Sequence, residues 1–445
     1  MTVDAVTPGQ GVTRQRAPLA LACALALLAG GATVVTQGDT AAPFFDDAAL
    51  EDIHLLINSR DWETLKTTFR SNTYYPADFR WRETTVRNVG IRSRGNGSRS
   101  GTKPGLRIDF DRYSTRQKFL GLKSVVLRNN TQDPSHLRER LSMAFITRMG
   151  LPAPRELHVR FIVNNAYAGL YTAVEAVDKD FLKRVFGEND GFLYDYDYDP
   201  AAPPYYFEYP GTDPALYVPK PFSPETNEDN PRPDVIERMV STINSAPAAT
   251  FRTDIEEFLD VRNFIRYVAV EAFLAETDGF LGDWGMNNFY LYRPPDRNRF
   301  SIIAWDKSHA FVGGHDASIW HNITDVPEAS RNRLFSRLLT YPELRDLYLE
   351  TLAAAAQSAS ETSPQDNRGW LERELDRQLA QIGDAARADP LSPFTTGEFE
   401  ETVASLRNFA RLRPQRVTAQ TAAARAAIAS ARRVRSSALS GAASP

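Results

Sequence analysis

The stretch Glu276–Val312, ETDGFLGDWGMNNFYLYRPPDRNRFSIIAWDKSHAFV, constrains the fold most, because it sets acids and amides around two apolar, aromatic runs. NNFYLY and FSIIAWD read as strands, and the turn-like connector PPDRNR joins them, so a β-hairpin is expected. Asp278, Asp283, Asn287, Asn288 and Asp306 then fall at strand ends or in adjoining loops. Side chains held rigidly in such places suit metal coordination or acid–base chemistry. Oxygen ligands from Asn288 and Asp306 fit a hard cation such as Mg²⁺ carrying phosphate. Asp283 and Asn288 also stand in the D-x-x-x-x-N step of phosphoryl-transfer catalytic loops, although no H-R precedes Asp283. A structural role fits the same letters: Asp278, Asp283 and Asp306 as caps, Asn287 and Asn288 as turn residues.

A second constellation is Gly90–Lys103, GIRSRGNGSRSGTK. Gly95, Gly97 and Gly101 let backbone approach an anion, and Ser98, Ser100 and Thr102 add donors. Arg92, Arg94, Arg99 and Lys103 supply positive charge. Arg94, Gly95, Asn96, Ser98 and Lys103 are therefore candidate nucleotide-phosphate contacts. No aromatic residue is interleaved there for base stacking, and the net charge of −4 gives no general attraction to nucleic acid or anionic membrane.

Other chemistries lack their motifs. There is no GxSxG elbow and no HExxH, and His54, His136, His158, His309, His315 and His321 show no ligand spacing. Paired acids such as Asp283 and Asp306 would serve glycoside hydrolysis, but that leaves the basic Gly-rich segment without a role. Arg14 and Arg16 precede the uncharged run APLALACALALLAGGATVVT, so residues 1–42 read as an export signal or, alternatively, a signal anchor. Cys23, the only cysteine, lies within that run. Cleavage would exclude disulfides, thiolate zinc sites and a catalytic thiol from the mature chain.

The remainder reads as α+β. A β-rich N-terminal lobe over residues 43–180 is expected to open on a helix at Asp52–Phe69 and to embed a second helix in HLRERLSMAFITRMG. LHVRFIVNN and AGLYTAVEAV read as a hairpin turning on NNAYAG. A helical C-terminal lobe over residues 181–430 contains the one hairpin above and a Pro-punctuated acidic insertion at 190–232. Its expected helices are Asp178–Phe186, Pro233–Ser245, Asp254–Glu276, Ser330–Gln357, Asn367–Asp384 and Thr396–Arg411, with a flexible tail over 431–445.

Four segments carry a resemblance: GIRSRGNGSRSGTKPGLRIDF, SVVLRNNTQDPSHLRERLSMAFITRMGLPAP, VNNAYAGLYTAVEAVDKDFL and D…NNFYLY…IIAWD. They run in order from about Val86 to Val312, roughly half the chain, and SLRNFARLRPQRV follows them. Together they resemble the CotH kinase family, the spore-coat-protein-H-like atypical protein kinases. The resemblance implies an atypical kinase-like two-lobed fold that binds ATP with Mg²⁺ or Mn²⁺. It also implies phosphorylation of Ser or Thr in secreted or surface proteins. By position, Lys103 resembles the lysine that contacts nucleotide phosphates, with Glu139 as its ion-pair partner. Asp283 resembles the catalytic Asp, with Asp278 as its rival outside the five-residue step. Asn288 and Asp306 resemble the metal ligands, and Glu175 a hinge residue near the adenine. The chain departs from the family's W-D-x-D motif, since Ser308 replaces the second acid, and Asn287 stands where His is common. The expected protein is an exported atypical kinase, touching membrane only through an uncleaved N-terminal segment. The alternatives are a pseudokinase or surface structural module without turnover, and a kinase-fold enzyme that transfers AMP.

Overall fold

The computed structural model describes residues 39–328 and 331–441, so residues 1–38 of the expected export signal or signal anchor, with Arg14, Arg16 and Cys23, lie outside the described residues. The N-terminal region is a closed seven-stranded barrel. Its strands are β1 (Glu51–Ile57), β2 (Tyr75–Trp81), β3 (Thr84–Ser93), β4 (Leu106–Asp109), β5 (Ser124–Arg128), β6 (Glu156–Val163) and β7 (Ala166–Glu175). Strand β1 corrects the helix expected at Asp52–Phe69. Ile53, Leu55 and Ile57 alternate inward with a period of two, and only Ser59–Thr67 (α1) is helical, capped by Asn58. Strand β1 pairs antiparallel with β2 and parallel with β6, which closes the barrel and removes its edges. Phe44, from ahead of β1, packs edge-on against Trp81 and Phe119 in the barrel core.

The embedded helix is α2 (Arg138–Arg148), followed by Gly150 at φ +74°, and β6–β7 form the hairpin that turns on Asn164 and Asn165. Helix α3 (Lys179–Phe186), capped by Asp178, leads out of the barrel. The insertion is more ordered than its composition indicates. It contributes β8 (Phe192–Tyr196) and β9 (Phe222–Pro224), which join β10 (Phe289–Arg293) and β11 (Ser301–Ala304) in the order β11-β10-β8-β9. The single expected hairpin is thus half of a four-stranded sheet, because Tyr194 and Tyr196 find a buried face against the helices.

Those helices are α4 (Pro233–Ser245), α5 (Phe251–Glu256), α6 (Val261–Phe273), α7 (Arg333–Leu338), α8 (Pro342–Ser360), α9 (Trp370–Arg387) and α10 (Thr396–Gly441). Two expected helices are each split. Asp260 caps a fresh start at α6, and Pro342 forces one at α8 because the residue before proline avoids helical geometry. Helix α10 runs well past Arg411. Arg413 on it is fully buried and donates to the carbonyls of Ala272, Phe273, His315 and Ala317, tying it to the end of α6 and the segment after β11. No helix among the described residues is long and apolar enough to cross a membrane.

Candidate active site

Pairing of Phe289 with Ala304 brings Asn288 and Asp306 to the same end of the β10–β11 hairpin. Both take left-handed backbone, φ +59° and +47°, which short polar side chains tolerate. Asn288 Nδ2 donates to Asp278 Oδ2 at 3.0 Å and to the Asp278 carbonyl at 2.8 Å, and Asn287 Nδ2 donates to Asp278 Oδ1 at 2.9 Å. Asp278, not Asp283, is therefore the acid joined to Asn288. Burial pushes the Asp278 carboxyl above its usual range, against the Asn287 hydrogen bond.

The loop itself separates Asp283 from Asn288. Gly282 N and Asn287 N both donate to the Gly279 carbonyl, so residues 279–287 fold back on themselves. Asp283 is carried outward, where it meets His321 Nε2 at 2.6 Å and Asn322 Nδ2 at 2.8 Å.

The basic side follows the same pattern. Lys103 Nζ is buried against Asp389 Oδ2 at 2.6 Å and the Leu170 carbonyl at 3.0 Å, so it neither faces the acids nor pairs with Glu139. A desolvated ammonium needs a carboxylate, and α9 ends where it can supply one. Arg128 takes the position expected of Lys103. Its guanidinium meets Asp306 Oδ2 at 2.5 Å and Glu139 Oε1 at 3.2 Å, and lies 4.7 Å from the Trp305 ring centre. Burial pushes the Asp306 carboxyl up, but the Arg128 charge outweighs it and holds Asp306 below the usual carboxylate range. Burial pushes Glu139 up, despite Arg128.

Arg94 stacks on the same indole at 4.9 Å and forms no ion pair among the described residues, and burial lowers its pKa. Arg94, Gly95, Ser98, Arg128, Asp306 and Ser308 line one cleft between barrel and hairpin. Ser308 Oγ, standing where a second acid was expected, donates to Asp306 Oδ1 at 3.1 Å. Two other candidates lie elsewhere. Asn96 Nδ2 donates to the Tyr198 carbonyl at 3.0 Å, fastening the Gly-rich loop to the insertion. The Glu175 side chain is buried between Arg155 and Arg184, where two guanidiniums hold it away from the cleft. Arg128 and Trp305 were missed as functional residues. A lone arginine closing the apolar run SVVL was the available signal.

No group of three or more His, Cys, Asp or Glu suited to a metal occurs among the described residues. Asp306 and Asn288 still fit Mg²⁺, which binds through one or two protein oxygens, water and phosphate, not a full protein cage. A half-buried guanidinium without an ion-pair partner among the described residues suits an anion in the cleft. Arg94→Met is accordingly expected to weaken pyrophosphate binding about tenfold, the loss of one charge-assisted hydrogen bond of roughly 1.5 kcal/mol. Isothermal titration reads this directly, and unchanged affinity would remove Arg94 from the site.

The chain is 25% identical over 305 residues to inner spore coat protein H of Bacillus subtilis (strain 168), covering 68% of this chain and 80% of that protein. It is 24% identical over 291 residues to spore coat protein homolog 1 of Rhizopus delemar, covering 62% of this chain and 45% of that protein. Among solved structures, the Helicobacter pylori proinflammatory kinase CtkA aligns over 72% of this chain and 95% of its own, at 10% identity and a TM-score of 0.28.

 The family model described as CotH kinase protein matches residues 91–417, well over half of the sequence, and the chain belongs to the CotH kinase family.

Proposed function

We propose that this kinase-like protein transfers the γ-phosphate of ATP, with Mg²⁺ or Mn²⁺, to Ser or Thr hydroxyls of exported or surface proteins. One observation carries the reading: Asp278, Asn288 and Asp306 gather at one hairpin end, while Arg94 and Arg128 stack on Trp305 beside the Gly95–Ser98 loop. Phosphoryl transfer asks little covalent chemistry of a protein and depends on positioning and charge neutralisation. Arg94 and Arg128 would hold the phosphates, with donors from the Gly-rich loop. Asp278 would orient the acceptor hydroxyl, itself oriented by the two amides. Asp306 and Asn288 would hold the cation, which would neutralise charge on the transferring phosphate. The spore-coat names of the two relatives, with the basic-then-apolar N-terminal segment, support an acceptor outside the cytoplasm.

Ser308 favours a second reading, a nucleotide-binding module without turnover, because it leaves one acid fewer beside Asp306. Titration of the full chain with ATP, with and without Mg²⁺ or Mn²⁺, tests binding, and intact-mass measurement of a mixed Ser/Thr peptide pool tests transfer. Metal-dependent ATP binding and a phosphate mass increment are expected. An AMP increment would replace the kinase reading with AMP transfer. Binding without any increment would favour the module, and no binding would overturn both.

A further inference from the structure

A second cavity, of about 120 Å³, opens between α6, residues 275–281 and the segment after β11. Short side chains wall it, Ala272, Ala275 and Ala317 among them. Gly313 keeps it open, since a Cβ there would sit 3.2 Å from that of Ala275. Two polar atoms in its lining have no hydrogen-bond partner among the described residues, Glu276 Oε2 and Thr277 Oγ1, on residues each only 7% exposed. Buried polar groups are costly unless paired, so both point to a missing ligand. The other oxygen, Glu276 Oε1, accepts from Asp278 N at 2.8 Å. One carboxyl group thus links the cavity to the acid assigned to the acceptor hydroxyl.

The surrounding charge selects the ligand. Lys307 acts on Glu276 electrostatically, and its ammonium is already buried against Glu271 Oε1 at 2.5 Å and the Asn288 carbonyl at 2.9 Å. A second cation in the cavity would be repelled by Lys307, whereas a neutral group carrying both donor and acceptor would not. Burial also pushes Glu276 up to about 8, which favours a neutral carboxylic acid facing the cavity. We propose that the cavity receives a carboxamide on a short alkyl stem, presented by an acceptor-protein side chain near the phosphorylated hydroxyl. This rests on the phosphotransfer reading of the site. A carboxamide supplies one acceptor and two donors for Glu276 Oε2 and Thr277 Oγ1, and its stem matches the alanine walls. The volume equals that of about four liquid waters, room for a glutamine-sized side chain.

Saturation-transfer NMR on the full chain without nucleotide, with butyramide and butylammonium as probes, tests the cavity. Butyramide is expected to bind at millimolar concentration, and Ala317→Leu, which fills the space, to abolish its signal. Preferential butylammonium binding, no binding of either probe, or a butyramide signal unaffected by Ala317→Leu would overturn the proposal. A second arm scans glutamine against leucine around the acceptor serine of a peptide. One register is expected to lower KM at least threefold in the wild type and not in Ala317→Leu. Butyramide binding with no responsive register would reassign the cavity to a free amide. Butyramide binding without phosphate transfer to any peptide would overturn the phosphotransfer reading, and with it the acceptor assignment, while leaving the cavity's ligand chemistry standing.

Discussion

Asp278→Asn is expected to lower phosphate transfer about 100- to 10,000-fold, the range for loss of a positioned acid–base group. ATP binding and folding should survive, because asparagine keeps the side-chain shape, its oxygen can still accept from Asn288, and the Asn287 amide can turn over to accept from its new NH2. Asp283→Asn should change the rate by less than about threefold, as for an exposed substitution away from the reacting atoms. Its carboxylate is committed to His321 and Asn322 on the outer side of the loop. Asp306→Asn should also abolish transfer, and should in addition remove the metal dependence of ATP binding. Initial rates with radiolabelled ATP separate these cases. Equal losses in Asp278→Asn and Asp283→Asn would sink the assignment, as would wild-type rates in Asp278→Asn.

The largest expected loss of stability comes from the buried ion pair that Asp389 makes with Lys103, the lysine expected at the nucleotide phosphates. Asp389→Ala should destabilise the fold by about 3–5 kcal/mol, the usual result of leaving a buried charge without its partner. Asp389 Oδ2 accepts from Lys103 Nζ at 2.6 Å and from Leu170 N at 2.8 Å, and Oδ1 accepts from Leu391 N at 2.9 Å. Gly169, at φ +116°, leaves room for this carboxylate, which a Cβ would strike. The pair therefore bolts the end of the Gly-rich segment and the barrel to the junction of α9 and α10. Replacing both partners, as Lys103→Met with Asp389→Leu, should recover part of the loss by removing both buried charges, while the Leu170 and Leu391 amides stay unpaired. Urea unfolding midpoints measure this. A double variant less stable than Asp389→Ala would refute the ion-pair account, and a single variant of near wild-type stability would show the pair to be unimportant.

Local patterns were legible where neighbours in sequence decide the structure. The β10–β11 hairpin, the β6–β7 hairpin turning on Asn164 and Asn165, and the helix ending near Gly150 all follow from strand chemistry, turn residues and caps. The placement of Asn288 and Asp306 at one hairpin end follows equally, because antiparallel register carries it. Asp52–Phe69 misled because its apolar residues satisfy a helical spacing, while the barrel needs a strand between β2 and β6. The insertion misled because its prolines and acids conceal Tyr194 and Tyr196, which gain a buried face only once β10 lies beside them.

The sequence by itself determined the two-part α+β plan, the family and the chemical vocabulary of the site: acids and amides in one segment, glycines and cations in another. Only the tertiary structure decided which members of each set meet. Asn288 meets Asp278 and not Asp283 because a loop closed on the Gly279 carbonyl, and Asp306 meets Arg128 and not Lys103 because Asp389 captured the ammonium. A charge leaving water goes to the partner that best replaces its hydration, and that partner is set by distance in the fold, here across 286 residues of chain for Lys103 and Asp389.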